Sequence, residues 1–221
     1  MTMVQVYNED CMAAMAKMED NTFDLAIVDP PYGIGEDGLK NHSRGSKKVP
    51  PTKFKIKDWD KAPADRAYFT ELKRVSKHQI IWGANHFIES IPNANSSSWI
   101  VWDKKNGDND FADAELAYTS FNKAVRMVQY KWHGFIQHDM KNKETRIHPC
   151  QKPIGLYKWL LRRYAKKGWV ILDTHLGSGS SAIAAHELGF NFVGYELDTD
   201  YYNDAVKRLH RHQRQLRLFV D

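Results

Sequence analysis

The sequence predicts an α/β protein with a mostly parallel sheet flanked by helices. Residues 169–195 contain a strand, a glycine-bearing turn, a helix and a second strand. This is the order of a βαβ unit, whose two strands run parallel. Earlier in the chain, short apolar runs end at Gly, Asn, Pro or Asp, as buried strands do. A length of 221 residues is compatible with one hydrophobic core, so a single domain over residues 1–221 is expected.

The individual elements follow from the apolar pattern. The first predicted strand is Phe23–Val28, which ends where Pro30 and Pro31 prevent a central strand from continuing. From Pro153 to Tyr164 apolar residues recur at helical spacing, and Gly168 follows as a stop signal. The other predicted strands are residues 79–82, 99–102, 115–118, 169–172 and 192–195, of which 115–118 is the most amphipathic. The other predicted helices are residues 180–188 and 200–216.

Composition excludes several classes of protein. A hydrophobic fraction of 42% rules out a disordered chain, and a mean hydropathy of −0.61 without a long apolar run rules out a membrane span. The first residues lack the features of a secretory signal, so a cytoplasmic location is expected. Cys11 and Cys150 are too few for a disulfide framework or a four-thiolate zinc site. The ten histidines lack ligand spacing, so no metal is expected.

Positive charge is concentrated in one segment. The formal net charge is +5, and residues 36–61 contain eight Lys or Arg against four acids, a balance of +4. The segment also carries Gly and Pro with little apolar periodicity, which predicts a long mobile loop. Such a loop suits a polyanionic partner, although a merely solvated loop has the same composition.

A glycine-rich turn indicates a cofactor site. Gly177-Ser178-Gly179-Ser180-Ser181-Ala182 fits the G-x-G-x-x-G/A pattern between a strand and a helix, and Glu196 ends the next strand. The glycines permit close approach of a ligand, and the carboxylate can accept hydrogen bonds from ribose hydroxyls. The pattern predicts a nucleoside-containing cofactor, either NAD or S-adenosylmethionine. A tight turn needed only for helix packing is the alternative.

The tetrapeptide Asp29-Pro30-Pro31-Tyr32 indicates the chemistry. A carboxylate and a proline carbonyl held rigidly at the end of a strand are two acceptors for an exocyclic amino group, and a neighbouring tyrosine can stack on a planar base. Ligands of open parallel sheets bind at that end of the strands. The arrangement suits the amine of a flipped nucleobase.

With these two motifs the chain resembles the amino-group-specific DNA methyltransferases that use S-adenosylmethionine, particularly the adenine-N6 enzymes of the beta arrangement. Asn8-Glu9-Asp10-Cys11, His148-Pro149-Cys150-Gln151-Lys152-Pro153 and Gly194-Tyr195-Glu196 are similar to further motifs of that family. Residues 82–87 and 99–104 resemble stretches of its phage and prophage members. The resemblance implies a Rossmann-like methyltransferase fold with a circularly shifted motif order, in which the catalytic turn precedes the glycine turn.

The resemblance also implies a set of cofactor-binding residues. Asp10 is expected to face the adenine amino group of the cofactor, and Asp173 to contact the amino group of its methionine part or a nearby water. The full expected set is Asp10, Cys11, Asp29, His148, Lys152, Asp173, Gly177, Ser178, Gly179, Ser180 and Glu196. One departure from the family is that Asp173 precedes Thr174 and His175, where the family usually has Pro and Phe. This change alters what packs against the methionine end of the cofactor.

The expected catalytic residues are Asp29, Pro30, Pro31 and Tyr32. Asp29 and the Pro30 carbonyl would hydrogen-bond the amine and aim its nitrogen at the methyl group, while Tyr32 stacks on the base. Direct transfer needs positioning and electrostatic complementarity rather than a covalent intermediate. Neither cysteine lies in a Pro-Cys turn, so nucleophilic catalysis by cysteine is not supported.

Contacts to double-stranded DNA are expected from two segments, the basic loop 36–61 and a possible small recognition insert at 126–146. Basic residues alternate with aromatic residues in the second segment, a composition suited to phosphates and an unstacked strand. The predicted contacts are Arg44, Lys47, Lys48, Lys53, Lys131 and Trp132. Tyr130 and Trp132 are equally well explained as core residues of a strand. The protein is expected to be a monomer or a homodimer.

Several alternatives to an adenine-N6 enzyme remain open at this stage. Cytosine-N4 methylation is a close variant because that target is also an exocyclic amine, and RNA or a protein glutamine is a more distant one. A catalytically silent DNA-binding protein would explain the altered residues Thr174 and His175. An NAD-dependent oxidoreductase shares the glycine turn and Glu196 but leaves the Asp29 turn without a role.

Overall fold

The computed structural model describes residues 2–36, 38, 40, 54–107, 112–133 and 136–214. Over these residues the chain forms an eight-stranded sheet and a two-stranded hairpin. The strands of the large sheet are β1 (Val4–Tyr7), β2 (Phe23–Val28), β3 (Ser76–Trp82), β4 (Trp99–Asp103), β5 (Ala114–Thr119), β6 (Arg126–Gln129), β9 (Val170–Asp173) and β10 (Asn191–Tyr195), and the hairpin is β7 (Trp132–His133) with β8 (Ile136–Gln137). The helices are α1 (Cys11–Met15), α2 (Arg66–Val75), α3 (Ile154–Tyr164), α4 (Ser180–Leu188) and α5 (Thr199–Arg214). No described helix is both long enough and apolar enough to cross a membrane.

The large sheet is mostly parallel, with the strand order β1-β10-β9-β2-β3-β5-β4-β6. The first five strands in this order run parallel to one another. Strand β5 is antiparallel to both of its neighbours, and β6 runs parallel to β4. The predicted α/β class is therefore confirmed, and the amphipathic run 115–118 is a strand inside the sheet.

The topology brings the two predicted motifs together. Strands β2 and β9 are neighbours although they are far apart in sequence, with Leu25 opposite Ile171. Because the two strands are parallel, their carboxyl ends lie at the same edge of the sheet. Asp29 directly follows β2, and the turn that contains Gly177 follows β9. Both motifs therefore open on the same edge.

The core has one apolar layer on each face of the sheet. Leu25 and Ile27 of β2 lie in a cluster with Leu160 of α3, whereas Val28 lies in a second cluster with Phe69 of α2. All five side chains are almost completely buried. Burial of such a side chain contributes about 1.5–3 kcal/mol, so both layers hold β2 and its terminal turn in place.

Strand β1, helices α1 and α2 and the short strands β6 to β8 add to the elements predicted from the sequence. Helix α2 begins after Asp65, whose carboxylate accepts a hydrogen bond from the Tyr68 amide at 2.9 Å. Its buried residues Tyr68, Phe69, Leu72 and Val75 have helical spacing, so the signal is present in the sequence. Strand β3 begins at Ser76, earlier than predicted. The end predicted for the last helix, residue 216, lies outside the described residues.

The sequence suggested a small recognition insert at residues 126–146. In the structure, part of this segment belongs to the main sheet. Residues 126–129 form β6, which pairs with β4 in the main sheet, and Val128 is buried. The hairpin of β7 and β8 follows. The first part of this segment is therefore held by the backbone ladder of the main sheet.

Candidate active site

A cleft of about 2070 Å³ lies at the carboxyl edge of the sheet. Residues 29–32 line one part of this cleft, and Gly177, Ser178 and Glu196 line another. Asp10 and Cys11 also line it. The acidic turn and the glycine turn therefore face a common space, as the sequence predicted.

Both carboxylate oxygens of Asp29 have partners. Tyr32 donates its hydroxyl hydrogen to Oδ1 at 2.7 Å, and the ammonium group of Lys152 lies 2.6 Å from Oδ2. Burial raises the pKa of Asp29, while the positive charge of Lys152 acts in the opposite direction. The carboxylate is therefore held in a defined orientation with its charge balanced.

Lys152 belongs to the Asp29 end of the cleft and not to the glycine turn. Its side chain is 4% exposed, and its ammonium group also lies 3.1 Å from Glu115 Oε2. Glu115 in turn pairs with Lys104. Burial favours the neutral form of Glu115, but the two lysines outweigh it and lower the pKa of Glu115 to about 2. Lys152 thus contacts two carboxylates, and its predicted contact with the cofactor stays a prediction.

The ring of Tyr32 is closely packed. It stacks on the His86 ring at a centroid distance of 4.9 Å. A Cβ atom at Gly83, which has a φ of +68°, would lie 2.1 Å from the Tyr32 ring. The turn itself is held by Asp60, which accepts hydrogen bonds from the amides of Gly33 and Glu36 at 2.7 Å each. These contacts fix the position of Tyr32 relative to β3.

Glu196 and the glycine turn are joined directly. Glu196 Oε2 accepts a hydrogen bond from the Gly177 amide at 2.7 Å, and Oε1 accepts one from the Asp198 amide at 3.0 Å. Burial raises the pKa of Glu196. The carboxylate thus lies at the end of β10 where the sequence places a ribose-binding acid.

Gly179 and Ser180 lie behind the cleft instead of lining it. Gly179 has a φ of +74°, and a Cβ atom there would lie 3.2 Å from the Cβ of Ala205 on α5. The Ser180 hydroxyl lies 3.0 Å from that of Ser178 and accepts a hydrogen bond from Arg208 at 2.9 Å. Both residues support the turn by packing, which corrects their predicted direct contact with the cofactor.

Asp173 also differs from its predicted role. Its carboxylate accepts hydrogen bonds from the Ser181 hydroxyl at 2.6 Å and from the His175 amide at 3.0 Å. The residue is 1% exposed and is not among the residues that line the cleft. Burial raises its pKa to about 7. Asp173 therefore holds the start of α4 against the end of β9 and does not face a ligand.

The unusual residues Thr174 and His175 take part in a polar chain. The Thr174 hydroxyl lies 2.6 Å from the Tyr68 hydroxyl and 3.0 Å from His175 Nδ1. Burial lowers the pKa of His175 to about 4, so the ring is neutral at pH 7. Both residues line the cleft. The hydroxyl of Tyr68 in α2 thus supports the part of the cleft wall where the family usually has an apolar residue.

His148 and Asp10 line the cofactor end of the cleft as predicted. The His148 ring contacts the Tyr201 ring at a centroid distance of 4.3 Å, and burial lowers its pKa to about 3. Asp10 Oδ1 accepts a hydrogen bond from the Ala13 amide at 2.8 Å and so caps α1. Cys11 follows it, and burial raises the pKa of its thiol to about 12. A neutral ring and an unreactive thiol suit binding better than chemistry.

The predicted DNA contacts are only partly described. Arg44, Lys47, Lys48 and Lys53 lie outside the described residues. Lys131 is half-buried. Trp132 is 7% exposed and donates its indole hydrogen to the Gln151 carbonyl at 2.8 Å. Trp132 therefore belongs to the core and also lines the cleft, and its predicted contact with DNA stays a prediction.

Residues 54–61 of the basic loop pack against the protein, although the sequence predicted a mobile loop. The ammonium group of Lys57 lies 2.7 Å from Asp198 and 2.8 Å from Asp200. Asp60 is 2% exposed, and Trp59 packs on His148 at a centroid distance of 5.2 Å. The positive charge of Lys57 is thus balanced within the protein.

The sequence did not identify several residues in or next to the site, among them Lys104, Glu115, Glu144 and Arg208. Arg208 lies on the buried face of α5 with Ala205 and Leu209, and a charged residue at a core position is a sequence signal for a buried partner. Its partner Glu144, at 2.6 Å, is remote in sequence, so only the fold identifies the pair.

Comparisons with known proteins identify the family. The family described as DNA methylase matches residues 23–207, and the chain belongs to this family. Among its relatives, the type II methyltransferase M2.MboI of Moraxella bovis is 24% identical, and the alignment covers 93% of this chain and 87% of that protein. The type II methyltransferase M2.DpnII of Streptococcus pneumoniae is 26% identical, with 91% and 88% covered.

Two solved structures of similar fold are a complex with SAM and a DNA methyltransferase. The M1.HpyAVI–SAM complex has a TM-score of 0.59 and 20% identity, covering 93% of this chain and 100% of that chain. The cytosine-N4-specific PvuII DNA methyltransferase has a TM-score of 0.60 and 10% identity, covering 99% and 89%. The predicted methyltransferase fold and enzyme class are confirmed. The oxidoreductase alternative is excluded by the family match.

Proposed function

We propose that the protein transfers a methyl group from S-adenosylmethionine to the exocyclic N6 of adenine in double-stranded DNA. The observation that carries this proposal is that Asp29 and the glycine turn follow neighbouring parallel strands and line a common cleft. The catalytic turn precedes the glycine turn in the chain, which is the beta arrangement of adenine-N6 enzymes. The resemblance of residues 82–87 and 99–104 to phage members supports a phage or prophage relationship.

The residues at the Glu196 end of the cleft fit the cofactor. Glu196 presents a buried carboxylate next to the Gly177 amide, and the His148 ring lies close above Gly177, where a Cβ atom would be 3.7 Å from it. Glu196 would hold the ribose, and Asp10 the adenine amino group. S-adenosylmethionine supplies an electrophilic methyl group when it is bound.

Asp29 and the Pro30 carbonyl would act on the target amine. They accept its two N–H hydrogens and draw the nitrogen lone pair out of conjugation with the ring. Preorganised acceptors of this kind stabilise positive charge that develops on the nitrogen. The carboxylate can then receive the proton that the methylated amine releases. Tyr32 would stack on the flipped base, a contribution of about 1–3 kcal/mol.

DNA itself would lie across the open side of the cleft. Arg44, Lys47, Lys48 and Lys53 would contact phosphates, together with Lys131. A triple Lys47/Lys48/Lys53→Ala variant is expected to reduce the salt dependence of DNA binding. A protein with fewer phosphate contacts releases fewer counterions from the DNA when it binds. An unchanged salt dependence would show that the loop does not contact DNA. We infer a monomer or a homodimer that acts in the cytoplasm.

The decisive experiment is methyl transfer from labelled S-adenosylmethionine to DNA, followed by digestion to nucleosides. The expected product is N6-methyladenine, formed by the native protein and absent with Asp29→Ala. N4-methylcytosine as the product would assign the enzyme to the cytosine variant. Specific DNA binding without any transfer would support the catalytically silent alternative.

A further inference from the structure

Four charged side chains of alternating sign form a row inside the cleft. Asp29, Lys152, Glu115 and Lys104 contact one another in this order. Their side chains are 16%, 4%, 21% and 18% exposed. They come from the end of β2, the segment before α3, strand β5 and the residue after β4. The fold therefore brings four distant segments together at one charged row.

The ammonium group of Lys152 lies close to three oxygen atoms. It donates to the Tyr32 hydroxyl at 3.2 Å, and it forms ion pairs with Asp29 Oδ2 at 2.6 Å and Glu115 Oε2 at 3.1 Å. The Tyr32 hydroxyl in turn donates to Asp29 Oδ1. Lys152 therefore places one positive charge between the two carboxylates.

Stability alone does not explain this row. Burial of charged groups carries a desolvation cost that their mutual attraction often fails to exceed, and apolar residues of similar volume are commonly as stabilising. The row also ends at the carboxylate to which we assign contact with the target amine. Its position therefore points to a role in the reaction.

We propose that Lys152, held in place by Glu115, is a positioning residue that keeps Asp29 ionised and fixes Oδ2, leaving Oδ1 to accept the target amine in place of the Tyr32 hydroxyl. This inference rests on the proposed function for the identity of the amine. It assigns the two oxygens of Asp29 different tasks. A carboxyl group that carried a proton would have one acceptor fewer and no charge to stabilise a developing ammonium.

The surroundings of Asp29 show why it needs this cation. The titratable and charged groups that face it come from all the elements packed around it: Lys152, Tyr32, Glu115, Asp173, Cys150, Tyr157 and Tyr68. Lys152 is the one cation in this named set, and Glu115 is a like-charged neighbour. Without Lys152, burial and the negative charge of Glu115 both favour a protonated Asp29.

Two substitutions are expected to affect the pH dependence of kcat/KM differently. Lys152→Met removes the cation, so the acid limb of the profile is expected to move up by at least about one pH unit, a tenfold loss at a pH on that limb. Glu115→Gln removes a negative charge near Asp29 but leaves the cation, so the acid limb of the profile is expected to stay or to move to lower pH. The maximum value of kcat/KM is expected to fall, because Lys152 is less firmly held.

A matched control is Lys158→Met in α3, where Lys158 pairs with Glu187 away from the cleft. This variant is expected to keep the native profile. A uniform loss of activity in Lys152→Met and Glu115→Gln, with no movement of the acid limb, would overturn the positioning role and leave a structural one.

A measurement that needs no catalysis separates this inference from the proposed function. The Asp29 carboxyl carbon is observed by ¹³C NMR, with its signal assigned by its loss in Asp29→Asn, and is titrated in the native protein and in Lys152→Met. A higher titration midpoint in the variant supports the role of Lys152, and equal midpoints contradict it. This result stands even if the native protein transfers no methyl group to DNA, which would refute the proposed function alone.

Folding of the variants is checked by circular dichroism and thermal unfolding. If Lys152→Met does not fold, Lys152→Gln, which removes the positive charge but keeps a hydrogen-bond donor, takes its place. Its Asp29 midpoint is expected to rise in the same way. A midpoint equal to the native value would contradict the inference.

Discussion

Tyr32 has two contacts that a substitution can separate. Its hydroxyl occupies Asp29 Oδ1, whereas its ring packs on His86 and Gly83. In Tyr32→Phe the ring remains and Oδ1 is free, so kcat/KM for methyl transfer is expected to stay within about threefold of the native value. In Tyr32→Ala the base loses its stacking partner, and kcat/KM is expected to fall by about 5- to 150-fold. Equal losses in both variants would show that the hydroxyl, and not the ring, matters.

Glu196 is the residue on which cofactor binding is expected to depend most. Both of its oxygens accept hydrogen bonds from backbone amides, and in Glu196→Gln an amide NH₂ group faces one of these donors. The affinity for S-adenosylmethionine, measured by calorimetry, is expected to fall at least about tenfold, or about 1.4 kcal/mol. Glu187→Gln, which lies on α4 outside the cleft, is the control. An unchanged affinity in Glu196→Gln would show that Glu196 does not bind the cofactor.

At the scale of elements, Arg208 ties α5 to the glycine turn and to the segment before α3. It donates to the Ser178 carbonyl at 2.8 Å and pairs with Glu144 at 2.6 Å. Arg208→Leu leaves the partly buried Glu144 carboxylate without its cation, so the free energy of unfolding is expected to fall by about 3 kcal/mol. The variant is also expected to bind S-adenosylmethionine more weakly, because the Ser178 carbonyl loses its partner.

The control variant is Lys207→Leu. Lys207 is the neighbouring residue in α5, and its side chain is 73% exposed although it pairs with Asp204. An exposed pair of this kind contributes little to stability. Urea unfolding and cofactor titration of both variants give the comparison. Similar small losses in the two variants would show that the Arg208 pair does not hold the turn.

For the molecule as a whole, Asp173 makes stability depend on pH. Its pKa rises from 3.8 to about 7 on folding, with burial as the main cause, so the native state binds its proton more tightly than the unfolded state. The stability contributed by the protonated form is therefore complete below about pH 4 and is lost as pH rises through about 7. The native protein is expected to lose up to about 4 kcal/mol relative to Asp173→Asn over this range.

The measurement is chemical unfolding of both proteins between pH 4 and pH 8 in the absence of cofactor. The other titrating groups are common to both proteins, so their contributions cancel in the difference between the two free energies of unfolding. A stability difference that is independent of pH would mean that Asp173 has an ordinary pKa in the folded protein.

The sequence by itself determined the class of fold and the location of both motifs. Apolar runs that end at Asp29 and Asp173 mark buried strands, and the glycine pattern marks the turn, because these signals depend on neighbours in the chain. Asp10, His148, Gly177 and Glu196 were placed at the cleft by motifs alone.

Only the tertiary structure decided which charged side chains meet. Lys152 was assigned to the cofactor by its motif, but it also contacts Asp29 after β2 and Glu115 in β5. Asp173 was expected to face the cofactor, but it is buried and does not line the cleft. Such contacts join residues that are remote in sequence, and their energies depend on burial and charge pairing that the fold alone creates. Local patterns therefore reveal where chemistry is possible, and packing decides which groups carry it out.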